Sequence, residues 1–549
     1  MKEIFKNLSE EFILIGLTGA VGSGSTTSAN ILSKEYNLSH ISQILDCNSK
    51  EHSDFLEIKR VKRIKHFYSN NHWNKFYHLK VSNILFAIIF ASEEDIFKEK
   101  DLKVSKWFKN CYNQEIIKIS KEIICDILSY KEINDKIEFK KKLEKLDKFI
   151  IENVDKNQIE YTQVFQQIGT NLRRYGKIHE NISSKLKYDN LPNVFFISET
   201  VRRVCKLIGE KFISIDALRN TYEIQFFKNR YSNFYLFSIV ASETVRKNRL
   251  KNEFDIKSED YKNIKEFEYD EKETNSQNIN SCICLGDIFI NNDSSCGDKK
   301  YLEYQIFKYL SLIRKSGLFT PNDDERNMQV ALTARYSSGC ISRQVGACVT
   351  GPDGYIKGIG WNDVQEGNTP CVYRTLDEML KPEKNEAYSE YEKSDFSNYV
   401  KQQHIKRDTP FCFKDIQNKK EIDNKLLKFD LDITQKEKLS KLFKNPTRER
   451  ALHAEENAFL QVVKSGGQSI VGGTLYSTAS PCQLCAKKSM QLKIKRIVYI
   501  DAYPDISITH TLKSGREMDY PSFDMFEGVS GNSYFKLFRP IIGIKEELK

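Results

Sequence analysis

Short apolar runs alternate with long amphipathic stretches over the first part of the chain. The runs with strand character lie at residues 12–15, 194–197, 212–215, 234–240 and 283–290. Between them, residues 115–128 and 137–151 place Ile, Leu and Phe at helical spacing among Lys and Glu. Strands that alternate with helices predict a parallel α/β sheet for residues 1–317. The highly charged stretch 252–280 predicts a lid-like segment or a long loop.

A cluster of turn-forming residues, SGLFTPN at 316–322, predicts a domain boundary. The elements predicted beyond it are helices at 323–337, 452–464 and 482–492 and strands at 346–350, 355–360, 474–477 and 496–500. Residues 372–450 are polar, rich in Lys and weakly patterned, which indicates an insertion. The sequence therefore predicts two α/β domains, 1–317 and 318–549, the second enlarged by an insertion at 372–450.

The charge of the chain permits a nucleic-acid partner but does not demand one. Its 549 residues hold 85 Lys and Arg against 75 Asp and Glu, a formal charge of +10. The excess divides into +7 for residues 1–317 and +3 for 318–549, so neither half has the strong basic excess of a polyanion-binding domain. No apolar run reaches the ~18 residues of a membrane span, and the N-terminus lacks the pattern of a signal peptide. We expect a cytoplasmic protein without a membrane partner.

Two short motifs near the C-terminus indicate a metal site. The tripeptide HAE at 453–455 is followed by PCQLC at 481–485. Cys482 and Cys485 are three residues apart at the start of a predicted helix, so both thiolates can face one ion, and His453 supplies a third ligand. Three protein ligands leave one tetrahedral position for water, which is the arrangement of catalytic Zn²⁺. The alternative, a lone CxxC pair beside a core histidine, does not account for the HAE motif.

Glu455 follows the predicted ligand His453 by two residues. It is poorly placed to be a second ligand but well placed to take a proton from a metal-bound water and pass it to a substrate. The H-x-E…P-C-x-x-C pattern is the signature of zinc deaminases. Glu455 is therefore the predicted catalytic residue.

At these motifs the sequence resembles the cytidine/deoxycytidylate deaminase family. The resemblance extends to the segments RYSSGCISRQVGA at 335–347 and GIGWN at 358–362. It implies a three-layer α/β/α sandwich, with the zinc helices on one face of a mixed sheet, and assembly as a homo-oligomer. It also implies substrate contacts by Asn362, Arg343 and, on weaker grounds, Tyr503. Cys371, His404 and Cys412 are candidates for a second, structural zinc site, although their spacing is irregular.

A glycine-rich loop follows the first apolar run. It matches the phosphate-binding P-loop motif G-x4-G-K-[ST], except that Ser25 stands in place of the lysine. Its nucleotide-binding candidates are Gly19, Gly22, Gly24, Ser25 and Thr26, with Thr26 as a candidate ligand of Mg²⁺. A strand before and a helix after the loop disfavour the alternative of a flexible Gly/Ser linker. Without the lysine, we expect nucleotide binding but not efficient phosphoryl transfer.

Other segments of the first half resemble deoxynucleotide-monophosphate kinases. They are QQIGTNLRR at 166–174 and FISIDALRN at 212–220. Asp216 ends an apolar strand, as an acid of the Walker-B type would. Arg246 and Arg249 lie where such kinases have lid arginines. The resemblance implies a P-loop nucleotide-kinase-like domain with a regulatory nucleotide ligand.

The order of the two domains resembles that of the anti-phage dCTP deaminases. The resemblance implies conversion of free dCTP, and of dCMP as a second candidate substrate, to deoxyuridine nucleotides, so that dCTP is depleted during infection. It also implies inhibition by a small RNA. Three alternatives stay open: a housekeeping dCMP deaminase with an allosteric nucleotide-binding N-domain, a tRNA or single-stranded DNA base deaminase, and a non-catalytic binding module. The modest charge of residues 318–549 disfavours the second, and Glu455, which a structural zinc site does not need, disfavours the third.

Overall fold

The computed structural model describes residues 12–51, 55–99, 102–133, 135–153, 158–254, 258–268, 275–293, 299–381, 385–403, 407–426, 449–502, 507–513, 515–541 and 545. The chain forms two compact units, Met1–Pro321 with Glu527–Lys549, and Asn322–Phe526. The first boundary lies within the predicted turn cluster. The predicted domain 318–549 differs from the second unit at its end, because residues 527–549 return to the first unit.

The strands of both units are numbered in chain order. They are β1 (Ile13–Thr18), β2 (Tyr77–Lys80), β3 (Lys177–His179), β4 (Ile182–Ser183), β5 (Phe212–Asp216), β6 (Phe234–Val240), β7 (Ile288–Asn291), β8 (Gly346–Thr350), β9 (Ile356–Trp361), β10 (Thr474–Ala479), β11 (Arg496–Asp501), β12 (Ser522–Met525) and β13 (Gly528–Val529). The sheet of the first unit has the order β2-β5-β1-β6-β7-β13, and that of the second has the order β9-β8-β10-β11-β12. Strands β3 and β4 form a separate antiparallel pair.

The first unit has the predicted parallel sheet, with one exception. Strands β2, β5, β1, β6 and β7 pair in parallel, whereas the C-terminal β13 adds antiparallel to β7. Side chains of β1 alternate between two cores: Leu14 belongs to one, while Ile13 and Ile15 belong to the other. Both faces of the sheet are therefore covered, which explains why β1 is a continuous apolar run and not an alternating one.

Helices surround this sheet. Those of the first unit are Ser25–Ser33, Leu38–Glu51, Phe55–Asn70, Val81–Ala91, Glu93–Lys98, Lys103–Asn110, Gln114–Leu128, Lys136–Asn153, Gln158–Tyr175, Phe196–Ile208, Thr221–Arg230, Glu243–Phe254, Ser258–Glu268, Ile279–Cys284, Lys299–Arg314 and Asn532–Phe538. The helices predicted at 115–128 and 137–151 are thus confirmed. In the described part of the chain, no helix is long and apolar enough to span a membrane.

Three predictions for the first unit were wrong or incomplete. The run at 194–197 is not a strand, because it spans a 3-10 turn at Asn193–Phe195 and the start of the amphipathic helix Phe196–Ile208. The run at 283–290 divides into the end of a helix and strand β7. The stretch 252–280 contains the helix Ser258–Glu268, while its residues 255–257 and 269–274 lie outside the described part.

A buried ion pair joins two helices of the first unit. The Glu57 carboxylate, 8% exposed, accepts hydrogen bonds from Tyr304 and from Lys308 Nζ at 3.0 Å. Burial by itself raises the pKa of Glu57, but the Lys308 ammonium and these hydrogen bonds outweigh it and lower the pKa to about 2. The charge of Glu57 therefore stabilises the folded chain above about pH 4.5, its ordinary pKa, and this contribution is lost as the pH falls towards about 2.

Glu57→Gln is expected to destabilise the first unit by about 3–5 kcal/mol, because it leaves the Lys308 ammonium buried without a counter-charge. Urea unfolding of the full chain at pH 7 measures the loss. The exposed pair of Glu35 with Lys75 supplies the control, since Glu35→Gln is expected to leave the unfolding midpoint unchanged. Equal midpoints for the wild type and Glu57→Gln would contradict the expectation.

The second unit has helices on both faces of its mixed sheet. Ala347 and Val349 of β8 pack in one core with Ala454 and Ala458 of the helix Ala454–Lys464. A Cβ atom on Gly346, the residue before Ala347, would meet the Ala331 carbonyl at 2.0 Å, so the helix Asp323–Arg335 lies on the opposite face. These layers agree with the predicted α/β/α sandwich.

The other helices of the second unit are short or belong to the insertion. They are Leu376–Leu380, Ser397–Lys401, Phe413–Leu426 and Gln483–Gln491, with a π-helical stretch at Glu392–Phe396. The predicted insertion has a small apolar cluster of its own around Leu376, Phe396 and Phe411. Residues 427–448 of the insertion lie outside the described part.

Candidate active site

The three predicted metal ligands converge in the second unit. One ligand atom from each of His453, Cys482 and Cys485 lies within 4.8 Å of the others. His453 Nδ1 is 3.3 Å from Cys482 Sγ and 3.4 Å from Cys485 Sγ. One imidazole nitrogen and two thiols form a donor set that suits Zn²⁺, and the short separations let them share one ion. The residues present therefore fit the zinc ion that the sequence predicts.

Two helix starts bring these ligands together. His453 and Cys482 are the N-cap residues of the helices Ala454–Lys464 and Gln483–Gln491, and both have extended backbones. Cys485 follows in the first turn of the second helix. Gly360 of β9 permits the close approach of the first helix, because a Cβ atom there would lie 2.2 Å from the Ala454 carbonyl.

Hydrogen bonds within the metal cluster favour the thiolate form of Cys482. Hydrogen bonds with Cys485 and His453 lower the pKa of Cys482 to about 4. The cluster thus provides a thiolate, the form in which cysteine binds a metal ion.

Glu455 lies beside the cluster in the first turn of its helix. It is only 4% exposed, and Ser477 Oγ donates a hydrogen bond to its Oε1 at 3.4 Å. Burial raises the pKa of Glu455 above its usual range, as expected for a carboxyl group that exchanges a proton. Ser477 was not among the predicted residues. It lies on β10, whose sequence TLYSTA has several hydroxyl side chains, so nothing in the sequence distinguishes Ser477.

Glu449 is a second acid that sequence reasoning missed. Its Oε2 is 3.4 Å from His453 Nε2, and its Oε1 accepts a hydrogen bond from Lys414 Nζ at 3.3 Å. Burial opposes ionisation of Glu449, but His453 and Lys414 lower its pKa overall. A carboxylate on the outer nitrogen fixes the imidazole so that the other nitrogen faces the metal. The signal in the sequence that could have identified Glu449 is its position four residues before His453.

Glu449→Ala is expected to weaken zinc binding by about 10–100-fold, the usual effect of losing such a partner of a ligating histidine. Competition with a chelator of known zinc affinity measures the change. Glu449→Gln keeps an acceptor oxygen and is expected to lie between the wild type and Glu449→Ala. The exposed Glu366→Gln in the same unit is the control, and an equal zinc affinity for Glu449→Ala and this control would refute the orienting role.

The three predicted substrate-contact residues have different surroundings in the structure. The Asn362 amide accepts hydrogen bonds from the Val345 backbone N–H at 2.6 Å and from Ser338 Oγ at 3.0 Å, and it donates to the Arg343 carbonyl at 2.7 Å. Asn362 therefore braces the 338–345 loop. The Arg343 guanidinium pairs with Asp501. Tyr503 lies outside the described residues, and substrate contact by all three predicted residues stays a prediction.

The second zinc site stays a prediction, because only Cys371 and Cys412 of its three candidate ligands lie in the described part of the chain. Cys371 Sγ accepts a long hydrogen bond of 3.6 Å from Arg450 Nη1. His404 lies outside the described part of the chain. Among the residues that the structure describes, His453, Cys482 and Cys485 are the one His/Cys/Asp/Glu cluster able to hold a metal ion.

The glycine-rich loop of the first unit follows β1 and leads into the helix Ser25–Ser33, as predicted. Gly22 and Gly24 have φ of +82° and +101°, and a Cβ on Gly24 would lie 2.3 Å from Asn292 Nδ2. Glycine is required at Gly24 for both reasons. The loop borders a cavity of about 500 Å³ that is also lined by Ser25, Thr26 and Asp216.

Side chains around the loop are already engaged. Thr26 Oγ1 donates to Asp216 Oδ2 at 2.8 Å. Arg246 and Arg249, the predicted lid arginines, donate to carbonyl groups of the loop. Lys80 also lines the cavity, where its Nζ pairs with Asp147. Binding of a nucleotide or of Mg²⁺ at the loop stays a prediction.

Comparison with known proteins identifies the domain that carries the metal cluster. Residues 321–501 match the model of the cytidine and deoxycytidylate deaminase zinc-binding region. Deoxycytidylate deaminases of Enterobacteria phages T2 and T4 are each 48% identical over 52 residues, 10% of this chain and 27% and 26% of theirs. A probable deoxycytidylate deaminase of Drosophila melanogaster is 44% identical over 55 residues, 10% of this chain and 26% of its own. The matches thus span about a quarter of the length of these curated relatives.

Solved structures of the dCMP deaminase from cyanophage S-TIM5 also match. The apo form is 20% identical and covers 38% of this chain and 100% of its own, with a TM-score of 0.21. The form with dCMP and dUMP is 22% identical, with coverages of 38% and 99% and the same TM-score. The sequence matches and the His/Cys/Cys cluster together show that the C-terminal part of the chain carries a cytidine/deoxycytidylate deaminase domain.

Proposed function

We propose that the second unit catalyses zinc-dependent hydrolytic deamination of free deoxycytidine nucleotides. The observation that carries the proposal is the convergence of His453, Cys482 and Cys485 beside the buried Glu455 carboxyl group. The relatives are named deoxycytidylate deaminases, which supports a cytosine nucleotide as substrate. The products are the deoxyuridine nucleotide and ammonia.

The residues of the site divide the reaction between them. His453, Cys482 and Cys485 hold the zinc ion, which when bound lowers the pKa of water to about 7. Glu455 takes a proton from the attacking water and delivers it to the ring nitrogen next to the amino-bearing carbon. The carboxylate then takes the remaining proton of the hydroxyl group that has added to this carbon and gives it to the amine. The C–N bond breaks as the C=O bond forms, so that one water enters and one ammonia leaves.

The nucleotide is positioned by the loop that Asn362 braces. Arg343 supplies a cation near the end of β11, where its pairing with Asp501 keeps it oriented. A guanidinium there suits a phosphate group of the substrate. The two candidate substrates, dCMP and dCTP, differ in carrying one phosphate or three. The resemblance to anti-phage dCTP deaminases favours dCTP. It also favours a role in depleting dCTP during infection. A homo-oligomer and an inhibitory small RNA belong to the same proposal.

The first unit is proposed to bind a regulatory nucleotide at its glycine-rich loop. The support is the cavity of about 500 Å³ beside the loop and the position of Asp216 next to Thr26. Because Ser25 replaces the lysine of the motif, this unit is proposed to bind nucleotide without efficient phosphoryl transfer.

Ammonia release tests the proposal. Zinc-loaded protein is incubated with dCTP, dCMP, a cytosine-containing single-stranded oligonucleotide and tRNA, and ammonia is quantified by a coupled assay. Release from dCTP or dCMP supports the proposal, and their relative kcat/KM identifies the substrate. Release from the polymers alone would overturn it in favour of base editing.

A further inference from the structure

One cavity of the first unit is lined by two chemically distinct groups of residues. Residues of the glycine-rich loop between Gly19 and Thr27 form one group. The helix Gln158–Tyr175 contributes Tyr161, Phe165 and Gln166 to another part of the wall. A volume of about 500 Å³ is within the range of small-molecule sites. The cavity therefore has room for a ligand with an anionic end and a planar end.

A carboxylate of the chain itself lies at the loop. Glu268 Oε1 accepts a hydrogen bond from the Val21 backbone N–H at 2.9 Å and another from Arg219 Nη1 at 2.6 Å. Glu268 is only 1% exposed. Backbone N–H groups of such a loop together with a guanidinium are the donors that bind phosphate oxygens. The Glu268 carboxylate thus takes up an anion position that the loop provides.

The walls of the same cavity contain amide groups without partners. Gln166 is 4% exposed, and neither atom of its amide has a hydrogen-bond partner within the described residues. Asn83 Oδ1 and Gln277 Oε1 are likewise buried and without a partner there, and both residues line the cavity. Because nearly all buried polar groups of native proteins are hydrogen-bonded, these amides indicate a ligand that is itself both donor and acceptor.

The chemistry of these groups narrows the ligand class. An amide offers donors and an acceptor side by side, which complements the hydrogen-bonding edge of a nucleobase. The neighbouring rings of Tyr161 and Phe165, with centroids 4.2 Å apart, provide an aromatic wall for a planar group. A simple anion would use only the loop. A base joined to a phosphate through a sugar uses both.

We propose that this cavity binds a mononucleotide, with its base hydrogen-bonded by Gln166 and its phosphate replacing the Glu268 carboxylate at Val21 and Arg219. The proposal rests on the nucleotide-binding role proposed for the first unit and is independent of deamination. Two anions cannot share the position, so binding displaces Glu268. Since Glu268 is the last residue of the helix Ser258–Glu268, this displacement moves the end of that helix.

Removal of the competing charge tests the phosphate end. Isothermal calorimetry measures the Kd of dAMP, dGMP and dTMP and of their triphosphates, bases chosen to avoid the substrate and product of the second unit. Glu268→Gln is expected to lower the Kd about tenfold, because the loop no longer holds an anion. Glu259→Gln, an exposed acid on the same helix, is the matched control and is expected to leave the Kd unchanged.

Removal of the amide tests the base end. The wild type is expected to prefer one base, and Gln166→Leu is expected to reduce that preference to within about threefold while phosphate-dependent binding remains. Its exposed neighbour Gln167→Leu is the control. Equal Kd values for all bases in the wild type, or an unchanged preference in Gln166→Leu, would overturn the assignment of Gln166.

The outcomes separate this inference from the functions on which it rests. If neither the wild type nor Glu268→Gln binds any probe, both the inference and the proposed nucleotide role of the first unit are wrong. If the wild type binds nucleotide and Glu268→Gln binds it equally or more weakly, only the displacement of Glu268 is wrong. Thermal unfolding of each variant verifies that it is folded, and ammonia release from dCTP reports the second unit separately.

Discussion

Glu455→Gln is expected to reduce ammonia release from dCTP and dCMP by about 10²–10⁴-fold, the contribution of a well-placed general acid–base group. The amide that replaces the carboxyl group is nearly the same size but cannot accept the proton of water. Because Glu455 is not one of the three converging ligands, zinc content is expected to remain that of the wild type.

The neighbouring acid provides a matched control for this experiment. Glu456 lies one residue further along the same helix and pairs with Lys488. Glu456→Gln is expected to retain zinc and activity, since its carboxylate does not face the cluster. Zinc is measured by mass spectrometry and turnover by ammonia release. Substantial activity in Glu455→Gln would assign the proton transfers to another group.

Cys485→Ser is expected to abolish zinc retention and activity together. Cys485 is buried, and its thiol is one of three converging ligand atoms, so the change leaves two strong ligands and a hydroxyl group that binds zinc poorly. Equilibrium dialysis against a zinc buffer measures retention. The same loss is expected when a chelator removes zinc from the wild type, and added zinc is expected to restore turnover.

Cys348→Ala is the control for a cysteine outside the cluster. Cys348 is buried in β8 of the same unit, so this change perturbs the packing without removing a ligand. It is expected to retain zinc. If Cys485→Ser kept both zinc and activity, the ligand set proposed for the site would be wrong.

Local sequence patterns predicted the strands that are buried along their whole length. Strands β6 and β8 occur at the predicted residues, because a strand covered on both faces is apolar throughout. The run at 194–197 is also apolar but lies in a 3-10 turn and the start of the helix that follows it. Four apolar residues fit either structure, and the amphipathic pattern of the following residues decides between them.

Strand β2 is a strand that the local pattern did not predict. Its sequence, YHLK, is short and half polar, and it was not predicted. It pairs with β5 at the edge of the sheet, where main-chain hydrogen bonds and not an apolar run hold it in place. Strand β13 has two residues and joins the first unit from the far end of the chain. No local pattern could have indicated either pairing.

The candidate site divides in the same way. Residue type and spacing were sufficient for His453, Cys482, Cys485 and Glu455, because three ligands and an acid leave a strict pattern in the chain. The same reasoning missed Glu449, which touches His453 from the preceding turn, and Glu268, which reaches a loop 247 residues away. Acids are common along the whole chain, so neither one stands out in the sequence.

The sequence by itself determined the candidate chemistry of this protein: the predicted metal ligands, the predicted proton-transferring acid and the glycine-rich loop are encoded in short motifs whose geometry is set by local backbone structure. Only the tertiary structure decided which side chains complete those sites. Hydrogen bonds and ion pairs between distant segments depend on how the sheets are ordered and covered, and that order is set by burial of the whole core. The Glu268 carboxylate at the loop and the unpartnered amide of Gln166 are therefore properties of the fold.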